Sequence, residues 1–571
     1  MTDSKIVLIF IPPVKRSKIS KFFEENVPNS GFYDIDTRLC QDLGETSIQD
    51  VVTNNSRQTL RSKWEESMDH ILYDIKIKNK KLNIILSHPV YYNITTREFF
   101  SIFNSGYLIE KASENSLYVS HTVHVIDDIH DVFKRLTNEE ELFGDNALAE
   151  FMERYMKSFN FSFKEIQKNS RAFVGWIQHC INSIVNWRAQ EILLTQNIAT
   201  QLNSKFILWA IKQNPFVLID WFTNDKSIFY VSHPISEPRR YEKSNKKWPA
   251  LVDVLNELQI RLGKINICSV MPTAIDEYRF EKIRSGYSSN LTKRWPIPSH
   301  TKSAFKKYNL LDDDQDKTNI LNPNEITFSQ DFNEVKSIKK SNVAKIQEYV
   351  NSAFNTLEIT ITESMANRDH TLVWHTNGVI VIEPYDVINH KIHGGVLKEL
   401  DYLRLVNTSI LGENSGDTPR KLCAVFEENT IRKIVESKIF KDTYLNKFKE
   451  MVAKGSKIEN QIAVSIINEN SQIDFSPTSL GRRVPSHKKS HTLSNAAKYQ
   501  RQALAESFSI IALVSQNMPH IDVIMIPRIM DLNKHLNKIK DFLLAGKTSG
   551  WEDAIHEIAK TSKSFSLTKF Y

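Results

Sequence analysis

Short, wholly apolar runs alternate along this chain with longer stretches whose apolar residues recur at helical spacing. Lys5–Ile11 (KIVLIFI) shows no polar alternation, as expected of a strand buried on both faces. Gly31–Ile35 (GFYDI), Lys81–Ser87 (KLNIILS) and Leu117–Ile126 (LYVSHTVHVI) repeat the strand pattern, with helical segments such as Ile19–Asn26 between them. From about 128 to 200 the pattern is helical. Phe173, Trp176, Ile177, Cys180, Ile181 and Ile184 fall on one helical face and read as core. Phe206–Ile211 (FILWAI) is expected to close the first sheet, and Asn214–Asp225 reads as the passage to a second domain.

A second β/α series begins at Ile228–Val231 (IFYV). A helix is expected near Pro249–Gly263, with Leu251, Leu255, Leu258 and Leu262 on one face. Ile265–Met271 (INICSVM), Gly378–Ile382 (GVIVI) and Leu422–Phe426 (LCAVF) are the next strands, with helices at about Val343–Ala366 and Val396–Val406. The polar stretch 285–342 has little periodicity and reads as an insertion or flap. After about Asn429 the chain reads as mainly helical, apart from a strand at Ile521–Ile526.

Strands alternating with helices imply an α/β fold of parallel sheets covered on both faces. The expected architecture is two doubly wound lobes with a mainly helical C-terminal extension, divided at 1–215, 225–428 and 429–571.

Composition narrows the picture a little. The chain has 571 residues, enough for several domains, with 41% hydrophobic and 25% charged residues. No apolar run is long enough to span a bilayer, and the opening MTDSKIVLIFIPP lacks a signal-peptide cleavage pattern, so no membrane association is expected. Cys40, Cys180, Cys268 and Cys423 are scattered without metal-site spacing, which fits a reducing cytoplasmic setting. The net charge of +7 suits an anionic ligand; nucleic acid is allowed but not indicated. The basic run GRRVPSHKKSH reads as a solvated loop.

Three fragments of the second series carry candidate chemistry. Tyr230-Val-Ser-His-Pro-Ile-Ser-Glu-Pro-Arg-Arg240 is a strand end followed by a polar loop, where open α/β sheets bind ligands. Ser232, Ser236, Arg239 and Arg240 could hold a phosphate or sugar, and Tyr230 could line the sugar pocket. The second fragment, Arg368-Asp369-His370, precedes a strand; its bland role is a helix cap or ion pair. The third, His393-Gly394-Gly395-Val396-Leu397-Lys398-Glu399, opens a helix. Its two glycines permit close approach to a ligand, and Glu399 stands one turn inside. Cleaving an N-glycosidic bond needs a carboxylate near the anomeric carbon, to attack it or to stabilise its positive charge.

In this order the fragments resemble the nucleoside 2-deoxyribosyltransferase superfamily, most nearly its 2'-deoxynucleoside 5'-phosphate N-hydrolase branch. The resemblance spans about 228–428. It implies Glu399 as catalytic carboxylate, Asp369 orienting Glu399 or protonating the departing base, and a nucleotide held by the loop after the first strand. It implies no metal and no organic cofactor. The chain departs from that pattern at His393, where transferases carry an aspartate, and at Pro234 and Pro238, where glycines are common.

Residues 5–136 resemble small P-loop kinases of the shikimate or adenylate kinase type, through KIVLIFI, Phe32-Tyr33-Asp34-Ile35-Asp36 and Thr46-Ser47-Ile48. The phosphate loop itself is degraded. Ile11, Val14 and Arg16 occupy the expected glycine positions and Ser17 the lysine position, so backbone N–H groups cannot wrap a phosphate in the usual way. Lys15, Arg16 and Lys18 could still attract an anion. The expectation is an inactive or ligand-sensing lobe, with Asp34 and Asp36 as fold remnants. The function expected of the whole is a nucleotide or nucleoside N-glycosidase or glycosyl transferase. The alternatives are a glycohydrolase acting on NAD, in the manner of a phage-defence effector, and an inactive nucleotide-binding sensor. Assembly with a second copy or a partner protein is expected.

Overall fold

In the computed structural model the described residues are 4–11, 16–93, 96, 98–127, 129, 132, 136, 170–211, 213–234, 247–270, 359–361, 363–386, 391–412, 420–427, 429–430 and 521–545. The chain is α/β throughout these, and it divides into two compact units, 1–225 with 273–368 and 226–272 with 369–571.

The first unit contains β1 (Ser4–Phe10), α1 (Arg16–Asn26), β2 (Gly31–Asp34), α2 (Ile35–Leu43), α3 (Ile48–Asn54), α4 (Arg57–Lys78) and β3 (Leu82–Ser87). A small antiparallel ribbon of β4 (Tyr91–Asn93) and β5 (Glu98–Phe100) follows. Then come α5 (Ser105–Glu114), β6 (Leu117–Ile126), α6 (Ser170–Gln201), β7 (Lys205–Ala210) and α7 (Pro215–Asn224). Its sheet runs β2-β3-β1-β6-β7, with every pair parallel.

Burial explains the unbroken apolar strands. Ile6, Leu8 and Phe10 pack with Trp64, Met68, Ile71, Leu108 and Ile198 on one face of the sheet. Val7 and Ile9 point to the opposite face and are also buried. On that side Lys5 Nζ donates to the carbonyl of Phe222, and Phe22 and Phe23 of α1 meet Phe216 and Phe222 of α7 edge-on or tilted. Residues 214–225, expected as the passage to the second domain, contain this helix and end at the unit boundary. Asn214 caps it, Pro215 stands in its first turn, and Asp225 ends it in the left-handed region.

Two polar groupings are sealed inside this unit. The Asp36 carboxylate accepts from Tyr91 Oη at 2.8 Å and pairs with His88 Nδ1, tying the start of α2 to the chain leaving β3. Asp34 caps α2. The second grouping lies where α6 covers β6. There His124 Nε2 stands 3.9 Å from Glu191 Oε2, and Arg188 Nη2 donates to the carbonyl of Asp127. The residues 12–15, where the phosphate loop would lie, are outside the described residues.

The second unit contains β8 (Ile228–Ser232), α8 (Lys247–Lys264), β9 (Cys268–Val270), β10 (Gly378–Ile382), a short ribbon of β11 (Tyr385–Asp386) and β12 (Lys391–Ile392), α9 (Gly394–Gly412) and β13 (Lys421–Glu427). β10 is preceded by residues 369–375, the last part of a helix over 363–375. The sheet is completed by β14 (Ile521–Ile526), followed by a 3-10 turn at Ile529–Lys534 and α10 (Leu536–Ala545). The parallel order is β14-β13-β10-β8-β9. Numbered within the unit this is 2-1-3-4-5, the flavodoxin-like order, whose topological switch point lies between its first and third strands. Here those strands are β8 and β10.

The expected boundary at 428 therefore falls inside a sheet, since β14 pairs with β13 along its whole length. Gly378 starts β10 where a Cβ would sit 2.4 Å from the Lys421 carbonyl oxygen, so only glycine lets β13 approach. The stretch 285–342 and the basic run 481–491 lie outside the described residues. Among the described residues no helix is long and apolar enough to cross a membrane, and none of the four cysteines is in a disulfide.

Candidate functional site

The carboxyl ends of β8 and β10 form the centre of the second unit's candidate site. Val379, Ile380 and Val381 of β10 pair with Tyr230, Val231 and Ser232 of β8. Because strand side chains alternate, Tyr230 and Ser232 share a face. That face is the one α9 covers. Tyr230 Oη donates to Glu399 Oε1 at 2.9 Å, and Ser232 Oγ donates to Glu399 Oε2. All three residues are buried.

The geometry follows from simple rules. β10 hands the chain through the β11–β12 ribbon to α9, which runs back along the sheet. Val396, Leu400 and Leu403 bury the sheet-facing side of α9, and Glu399 lies beside them. Each Glu399 oxygen accepts a hydroxyl.

Gly394 and Gly395 form the first turn of α9. A Cβ added at either would meet nothing within 4 Å, and both residues are exposed. A helix start also offers N–H groups without intrahelical partners. His393 precedes the glycines and is buried. Its N–H donates to the Pro384 carbonyl at 3.0 Å, and its own carbonyl accepts from Leu397 N–H at 2.9 Å. His233, next to Ser232, is buried as well, with Nδ1 3.2 Å from the Pro234 carbonyl.

The strand ends are tied together by carboxylates. Glu383 follows β10 with φ of 47°, a left-handed conformation that is unfavourable for a residue with a side chain. Its carboxylate accepts from Glu427 N–H and from Thr430 Oγ1. Glu427 in turn accepts from Ile529 N–H at 2.8 Å. These contacts hold β10, β13 and the chain after β14 at the same end of the sheet.

Asp369 is half-buried on the helix before β10. Its neighbour His370 stacks on Tyr402 of α9, with ring centroids 4.1 Å apart. Burial pushes the His370 imidazole below its ordinary pKa, partly offset by Asp369. Arg368 is fully buried. Ser236, Arg239 and Arg240 lie outside the described residues, so of the residues expected to bind an anion Ser232 alone is described. Ser232 and Tyr230, expected to face a phosphate and a sugar, turn their hydroxyls to Glu399. No feature of the sequence announces this bond, because its partners are separated by well over a hundred residues. His393 and Glu383 were also absent from the expected site. His393 adjoins the glycine pair, and that adjacency was the available signal.

Among the described residues no group of three or more His, Cys, Asp or Glu side chains converges as a metal site would require. Comparison of the chain with protein-family models and with curated proteins finds no match.

Proposed function

We propose that the second unit binds a nucleotide or nucleoside at the β8/β10 switch point and breaks its base–sugar bond, with Glu399 as the carboxylate at C1'. The sugar goes to water or to a second base. One observation carries this reading: a buried glutamate held through both oxygens by Tyr230 and Ser232, at the strand ends where doubly wound sheets bind ligands. The resemblance to deoxyribosyltransferases and nucleotide N-hydrolases rests on the same residues.

In this mechanism the glycosidic bond lengthens and positive charge builds on the sugar ring. The fixed Glu399 charge stabilises it without having to reorganise, which is where enzymes gain most of their rate. Tyr230 and Ser232 keep the carboxylate aimed. Neither a metal nor an organic cofactor enters the scheme.

A second reading is a binding module without turnover. The engagement of both Glu399 oxygens by protein hydroxyls favours it, since a purely structural carboxylate would be satisfied in the same way. Incubating the full chain with ribo- and deoxynucleotides, nucleosides and NAD, and measuring free base by chromatography, separates the readings. Base release that Glu399→Gln abolishes supports the glycosidase. Release from NAD alone selects the NAD glycohydrolase. Tight nucleotide binding with no release by wild type selects the sensor.

A further inference from the structure

We draw no further inference here: the strongest candidate, the buried His124–Glu191 pair where α6 covers β6 in the first unit, stands 3.9 Å apart with nothing among the described residues to show what it would bind, so it carries only the pH dependence of stability that its burial implies.

Discussion

Tyr230 and Glu399 lie on separate elements, a central strand and the helix that follows its neighbour, and their side chains meet at 2.9 Å with the phenol donating. The bond joins β8 to the helix that follows β10. It also supplies one of the two hydroxyl donors on the Glu399 carboxylate.

Removing that donor should be felt in turnover more than in stability. Tyr230→Phe keeps the buried ring and deletes the hydroxyl. A hydrogen bond to a charged group contributes about 1.5–3 kcal/mol. Base release should fall roughly 10- to 100-fold as the carboxylate loses its aim, measured in the chromatographic assay with the melting temperature as control. Wild-type rates in a folded Phe variant would show that the bond is only packing.

Glu399→Gln tests the carboxylate itself. The amide keeps the size of the side chain but carries no charge, and it places an N–H₂ against one of the two hydroxyls. Base release should drop by at least about a hundredfold, while nucleotide binding by calorimetry is retained. Full activity in this variant would remove Glu399 from the chemistry.

Gly378→Ala should destabilise the second unit without touching the candidate site. The new methyl would press on the Lys421 backbone, which cannot move without breaking the β10–β13 ladder. Overpacking of this kind costs about 1–3 kcal/mol, and a backbone clash sits at the upper end. Chemical denaturation should show a lower midpoint with an unchanged slope. An unchanged midpoint would mean that β13 is not so close.

Glu191→Gln should change how stability depends on pH. Burial raises the Glu191 carboxyl well above its ordinary pKa, and the nearby Arg188 charge only partly opposes this. A raised folded-state value means the contribution is fully present below about pH 4.5 and is lost as pH rises toward the folded value, by up to about 1.4 kcal/mol per pH unit. Burial and then Arg188 lower His124 to about 3, so its contribution is lost in the opposite direction, as pH falls below 6.5. The glutamine variant removes only the first slope. Denaturation at pH 5 and pH 8 should show the variant gaining on wild type as pH rises. A constant difference would place Glu191 outside the buried cluster.

The first unit should show no kinase turnover. Ile11, Val14 and Arg16 stand where glycines would be needed, and β1 ends directly in a buried Ile11. ATP-dependent phosphorylation of a nucleotide or of shikimate by the full chain, measured with labelled ATP, would refute this.

Much of the fold was legible along the chain. Leu117–Ile126, Gly378–Ile382 and Ile521–Ile526 are strands over the bounds that the sequence indicates, and in Gly378–Ile382 every residue is buried, because a strand covered on both faces needs no polar alternation. Asn214-Pro215 and Asp34 also carried local capping signals, which depend only on neighbours a few residues away. The same continuous burial conceals pairing. A strand with no polar face gives no sign of which strand lies beside it. Only the tertiary structure could therefore place β14 against β13 across a long intervening stretch, or set β8 beside β10.

The candidate site divides along the same line. Glu399, Gly394 and Gly395 could be singled out because they lie within one short segment with recognisable chemistry. That Ser232 and Tyr230 give their hydroxyls to Glu399, and that His393 is clamped at the head of α9, follows from strand order and helix crossing. Those arise from the joint packing of both faces of the sheet, a property of the whole unit that no local run of residues contains.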